Sequence, residues 1–74
     1  MRQPLDWIST PESSSIAAFA YEAEVLALYV RFKNGRTYRY SGVPSFVYEG
    51  FAEADSKGAF FNAEVQGNYP YSQI

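Results

Sequence analysis

Seventy-four residues make one domain, near the size at which a chain buries only about 60 % of its unfolded surface and each large side chain matters. With no cysteine and no histidine, disulfide frameworks, Cys-type zinc sites, imidazole acid-base catalysis and most transition-metal sites fall away together. A formal net charge of -2, from six Lys plus Arg against eight Asp plus Glu, argues against a strongly basic nucleic-acid binder but leaves room for one basic face.

What remains to build the core is aromatic: six Phe, seven Tyr and one Trp, each able to bury roughly 150 to 250 Å². No apolar run approaches the ~20 residues of a membrane span, and the N-terminus MRQPLDW lacks the basic-then-apolar layout of a signal peptide. A soluble, cytoplasmic protein is the expectation.

Residues 1–13 contain Pro4 and Pro11 and no sustained periodicity, so they read as an irregular arm ahead of a single domain over 14–74. Trp7 is the arm's apolar handle, expected to pack onto the domain edge. Ser13-Ser14-Ser15 reads as a turn feeding the first strand. Ile16 to Tyr21 is short, apolar and ringed; a helix is the alternative, but about six residues is ordinary for a strand. A tight turn at 22–24 leads to the clearest strand, where Leu26, Leu28, Val30 and Phe32 alternate with Ala27, Tyr29, Arg31 and Lys33.

Asn34-Gly35 marks a hairpin whose register decides where the tyrosines point. A two-residue type I′ loop pairs Lys33 with Arg36, which turns Tyr38 and Tyr40 outward and sets Arg39 in the core, a costly place for a charge. A three-residue loop with Gly35 in a G1 bulge pairs Phe32 with Arg36 instead. Val30 then faces Tyr38 and Leu28 faces Tyr40, all inward, while Tyr29, Arg31, Thr37 and Arg39 share the outer face. The second register matches apolar with apolar and is the one expected.

After Gly42-Val43-Pro44, the residues Phe46, Val47, Tyr48, Phe51 and Ala54 fall at helical spacing. Gly50 inside that helix costs about 1 kcal/mol relative to Ala unless a close contact with the sheet requires it. Lys57-Gly58 reads as a C-cap or turn, with Ser56 able to cap the next segment. Residues 59–66 form a second, shorter helix, stopped by Gly67. The tail with Tyr69, Pro70 and Tyr71 lies back across the domain.

The expected fold is therefore α+β, a three-stranded antiparallel β-meander (15–21, 25–33, 36–41) followed by two short helices (44–54, 59–66) packed on one face. Ile16, Leu28, Val30, Phe32, Tyr38, Tyr40, Val47, Phe51, Phe61 and Val65 form most of its core. So small a sheet has exposed edges, so the arm or the tail covers one, or the protein is a weak dimer there rather than a monomer.

Several ordered features resemble the KTSC domain, a short module at the C-terminus of some lysyl-tRNA synthetases and alone in small bacterial and phage proteins. They are Ser14 to Ile16, Tyr21-Glu22, Leu28, Val30 and Phe32 with Gly35, then Tyr38-Arg39-Tyr40, Val43-Pro44 with Val47-Tyr48, Ala54 with Ser56 and Gly58, and Phe61-Asn62 with Val65. The resemblance implies a domain of uncharacterised role, with RNA binding suggested by its company with a tRNA enzyme, an associational warrant.

The residues themselves offer a basic-aromatic hairpin: Tyr29, Arg31, Lys33, Arg36 and Arg39 supply the ring and cations a single-stranded nucleic acid needs. Tyr38 and Tyr40, the Tyr-x-Tyr pair, fall in the core. A solvated sheet face is the plainer reading. The alternative function is a protein-protein interaction module or small phage-type effector using an aromatic docking patch, since Tyr and Arg are enriched at interface cores. Enzymatic activity is not expected: Glu22 with Glu24 and Glu49 with Glu53 are ordinary exposed spacings, and Lys33-Asn34-Gly35 and Ser56-Lys57-Gly58 are not phosphate loops. No cofactor or metal is expected.

Overall fold

The computed structural model describes residues 5–74; the first four residues of the expected arm lie outside them. Strands β1 (Ile8–Ser9), β2 (Ile16–Glu22), β3 (Ala27–Phe32), β4 (Thr37–Tyr40) and β5 (Tyr71–Gln73) form one antiparallel sheet in sequential order. The three expected strands are its centre. Two short strands correct the count to five: Ile8–Ser9, inside the arm expected to be irregular, pairs with β2, and Tyr71–Gln73 from the tail pairs with β4. Strands of two and three residues are too short to leave a period in the sequence.

The β3–β4 hairpin takes the three-residue loop. Phe32 N–H donates to Arg36 O at 2.8 Å, Gly35 N–H donates to Phe32 O at 2.9 Å, and Gly35 has φ 91°. Leu28 accordingly faces Tyr40 and Val30 faces Tyr38. The β2–β3 ladder carries a bulge between Ile16 and Ala18. One extra residue lets Ile16 share the inner face with Phe19 and Tyr21, which strict alternation forbids.

The tight turn expected at 22–24 is a 3-10 turn over Ala23–Val25, closed by Leu26 in the left-handed conformation at φ 53°. Leu26 thereby leaves the apolar row of β3 and is 42 % exposed, its carbonyl accepting from Val43 N–H at 2.9 Å.

Helix α1 (Ser45–Glu53) follows Pro44, whose carbonyl accepts from Val47 and Tyr48 N–H. Helix α2 (Lys57–Phe60) continues directly as a π-helical turn, Phe61–Val65. It starts two residues before the expected boundary, because Ser56 Oγ accepts from Ala59 N–H at 3.3 Å. Lys57 opens this helix rather than ending the previous one, and its Nζ donates to the carbonyls of Ala52 and Ala54 at 3.0 and 3.1 Å. One ammonium thus satisfies two carbonyls at the end of α1.

The inner core is a ring lattice. Phe19 meets Phe51 edge-on at 4.9 Å, Phe32 meets Phe61 at 5.4 Å and Tyr40 meets Phe61 at 5.3 Å. Of the expected core, Ile16, Leu28, Val30, Tyr40, Phe51, Phe61 and Val65 are buried, and Phe32, Tyr38 and Val47 pack half-buried against them. Phe19 and Val43 complete it. The arm is anchored by Thr10, buried, whose Oγ1 donates to Ile16 O at 2.6 Å while its N–H donates to Ala17 O. Ser13 Oγ accepts from Ile16 N–H at 3.1 Å and closes the expected serine turn. No helix among the described residues is long and apolar enough to cross a membrane.

Gly50 is required by a helix rather than by the sheet: a Cβ there would meet the Phe60 ring at 2.9 Å. Gly50→Ala is expected to lose up to about 2 kcal/mol, overpacking of about 1 to 3 offset by about 1 of helix propensity. The loss reverses in Gly50→Ala with Phe60→Leu, a double-mutant cycle read by urea unfolding. Gly35→Ala is expected to cost about 1 to 2 kcal/mol through its left-handed φ, with the same readout.

Candidate functional site

Among the described residues the helices α1 and α2 lie on one side of the sheet, so the outer face is the surface on which the hairpin's cations are displayed. Its floor is made of small residues, Ala18 and Ala20 of β2 and Ala27 of β3, all buried. Leu5 and Trp7 of the arm lie over that floor together with Tyr29. Trp7 therefore packs on the sheet face rather than only at its edge, with its ring edge-on to Tyr29 at 6.3 Å. The period-two spacing of Leu5 and Trp7 ahead of Ser9 is the sequence signal for this placement.

Tyr29 is 5 % exposed, so its ring is a support rather than a free stacking platform. Its hydroxyl donates to Glu22 Oε1 at 3.0 Å and accepts from Arg39 Nε at 3.2 Å. The Arg39 guanidinium lies 5.8 Å from the Tyr29 ring centre and also donates to Ser41 Oγ at 3.0 Å. Arg31, exposed, spreads over the Trp7 ring at 4.4 Å and its Nε donates to Thr37 Oγ1 at 3.4 Å. Lys33 Nζ donates to Pro11 O at 3.2 Å. The partners of Arg31 and Lys33 are a ring, a hydroxyl and a carbonyl, while Arg39 shares the Tyr29 hydroxyl with the Glu22 carboxylate.

The structure thus brings Tyr29, Arg31 and Arg39 together, with Lys33 at their margin. Arg36 stands apart. Its carbonyl accepts from Phe32, so by register it sits at the loop end of the face that carries Phe32, Tyr38 and Tyr40, and it is exposed.

On that inner face the Tyr-x-Tyr pair lines a cleft of about 380 Å³ between β4, β5 and the second helix, together with Tyr71, Ser15, Asn62 and Gln66. Tyr38 and Tyr71 meet edge-on at 5.7 Å, and Tyr40 and Tyr71 lie tilted by 34° at 5.4 Å. The π-helical turn, closed by Gln66 N–H donating to Phe61 O at 2.8 Å, buries Phe61 and Val65 while Asn62 and Gln66 stay exposed. Burial, then proximity to Tyr71 and Tyr38, lifts the Tyr40 phenol above its ordinary pKa of 10.0. Burial, then Glu49, does the same for Tyr21, whose hydroxyl donates to Val43 O at 2.6 Å. Among the described residues no three His, Cys, Asp or Glu gather closely enough to hold a metal ion.

The fold holds the Tyr40 phenol neutral at a pH where an unfolded tyrosine ionises. Its stabilising contribution is therefore complete below about pH 10 and lost as pH rises through the raised value. Tyr40→Phe, which cannot ionise, is expected to move alkaline unfolding to higher pH while changing stability at pH 7 by about 1 kcal/mol or less. Near-ultraviolet circular dichroism along an alkaline titration checks it.

The family model of the KTSC domain matches residues 12–69. A lysine–tRNA ligase from Nostoc punctiforme is 38 % identical over 64 residues, covering 86 % of this chain and 11 % of the ligase. This chain therefore spans only about a tenth of the length of such relatives. An uncharacterised protein from Stutzerimonas stutzeri is 43 % identical over 51 residues, 69 % of this chain and 72 % of that one. The crystal structure of a KTSC domain protein from Yersinia pestis superposes with a TM-score of 0.88 at 30 % identity, covering 96 % of this chain and 99 % of its own. Matched along most of its length in sequence and in fold, the chain belongs to the KTSC domain family.

Proposed function

We propose that this chain is a non-catalytic binding module that takes single-stranded RNA, weakly, on the outer face of its sheet. The observation that carries the reading is the pair of cation–ring stacks on that face, Arg31 over Trp7 at 4.4 Å and Arg39 over Tyr29 at 5.8 Å. A guanidinium held over a ring offers an unpaired base a polarisable partner and brings a cation to the backbone. Lys33 extends the charge toward the hairpin tip. The helix layer carries Glu49, Glu53, Asp55 and Glu64, all exposed, on the side of the sheet away from these cations. The kinship with lysine–tRNA ligases gives such a module an RNA-handling context.

Titration of a short single-stranded RNA at low salt, followed by Trp7 emission, tests the reading. Three cations predict a slope of log affinity on log salt of about −2, roughly −0.7 for each phosphate neutralised. Arg31→Ala is expected to weaken binding about tenfold, since it removes a cation and one plane of the stack. An unchanged Trp7 spectrum, together with unmoved amide signals for residues 29–39, would sink the proposal.

A further inference from the structure

We infer that the inner cleft lined by Tyr38, Tyr40 and Tyr71 is a second, separate site that accepts the base of a nucleoside monophosphate, with Arg36, next along the same face by register, taking the phosphate. The site goes beyond the outer-face reading and shares none of its residues.

The cleft's volume of about 380 Å³ falls inside the range of roughly 300 to 1,000 Å³ typical of small-ligand sites. Its walls are the Tyr38, Tyr40 and Tyr71 rings. Tyr71 stays 63 % exposed although it touches both other tyrosines, so one large aromatic surface stands open beside a half-buried one, Tyr38, and a buried one, Tyr40. Its polar groups are the hydroxyl of Ser15 and the amides of Asn62 and Gln66, together with the phenols. No residue lining it carries a formal charge.

This chemistry selects a class of ligand. A buried charge would have no counter-ion there, and an aliphatic chain would leave the amides and hydroxyls unpaired. A flat, uncharged ring with donors and acceptors on its edge satisfies both conditions, stacking on tyrosine and bonding to the amides.

The surroundings orient it. On one side the cleft adjoins a polar one of about 450 Å³, sharing Ser15, Gly58 and Asn62, that carries Glu12 and Asp55. Lys57, which also lines that neighbour, spends its ammonium on the Ala52 and Ala54 carbonyls. An anionic substituent is repelled there. Toward the hairpin loop the same face carries exposed Arg36, by register opposite Phe32, which lines the cleft, and two residues before Tyr38. The base enters and the phosphate remains at the arginine.

The test titrates the full chain with AMP, adenosine and a short oligoadenylate, following the side-chain amide signals of Asn62 and Gln66, the rings of Tyr38 and Tyr71, and the Trp7 indole. AMP is expected to move the cleft signals and leave Trp7 unmoved. Tyr71→Ala, on an exposed edge strand and checked for folding by circular dichroism, is expected to weaken AMP and adenosine alike by about tenfold. Arg36→Gln is expected to weaken AMP about tenfold and leave adenosine unchanged. Cleft signals that saturate at lower oligoadenylate than AMP identify a strand as the source of the nucleotide, and the reverse order identifies free nucleotide; either supports the site. Cleft signals unmoved by AMP and oligoadenylate at millimolar concentration would overturn it. So would movement confined to Trp7 and Arg31, which leaves the outer-face reading standing, or equal weakening of AMP and adenosine by Arg36→Gln.

Discussion

The left-handed turn at Gly35 is the constraint on which the rest of the molecule depends. It sets Phe32 against Arg36, and every later pair in the hairpin follows from that match. A slip of one residue would exchange the faces of β4, putting Arg39 into the ring lattice and Tyr38 and Tyr40 into solvent. A charge stranded in so small a core costs more than the chain has to spare. The bulge between Ile16 and Ala18 does the same service on the other side of β3. It resets the alternation so that Ile16, Phe19 and Tyr21 all reach the helices, and the alanines between them form a smooth floor on the outer face.

That register produces a sheet with two unlike surfaces. The inner one is covered by α1 and by α2 with its π-helical turn, except along β4 and β5, where Tyr38, Tyr40 and Tyr71 line a cleft. The outer one carries no helix. The arm covers part of it, and the remainder displays cations laid over rings. Short edge strands close the sheet on both sides, β1 on β2 and β5 on β4, which limits the exposed ladder that a three-stranded sheet of this size would offer to other chains.

The hairpin register was legible because two patterns had to agree, the turn chemistry of Asn34-Gly35 and the alternation of Leu28, Val30, Phe32 with Tyr38 and Tyr40. The α1 segment was legible for a similar reason, and Gly50 announced a close contact although not its partner, Phe60. Of the candidate binding residues, Tyr29, Arg31 and Arg39 could be assigned to one face. That Tyr29 is buried was harder to read, since the covering ring, Trp7, comes from a segment whose only periodic trace is the two-residue spacing of Leu5 and Trp7 ahead of Ser9. The bulge had a trace in the spacing of Ile16, Phe19 and Tyr21, three residues and then two, which a reading based on strict alternation passes over. Arg36 was grouped with the outer cations, whereas the three-residue loop carries it to the other face.

What the sequence by itself determined is the set of elements whose signals are local: an aromatic core, an α+β order, a bulged hairpin, an amphipathic helix, and the absence of thiol and imidazole chemistry. Period, turn residues and composition act over a few positions and need no partner to be read. Only the tertiary structure decided which rings are covered and which stand open. Burial of Tyr29 by Trp7, exposure of Tyr71 beside Tyr38, and the pairing of the arm and the tail with opposite edges of the sheet each join residues far apart in the chain. Such contacts are selected by the space left once the central strands and helices have packed, and that space is a property of the assembled fold.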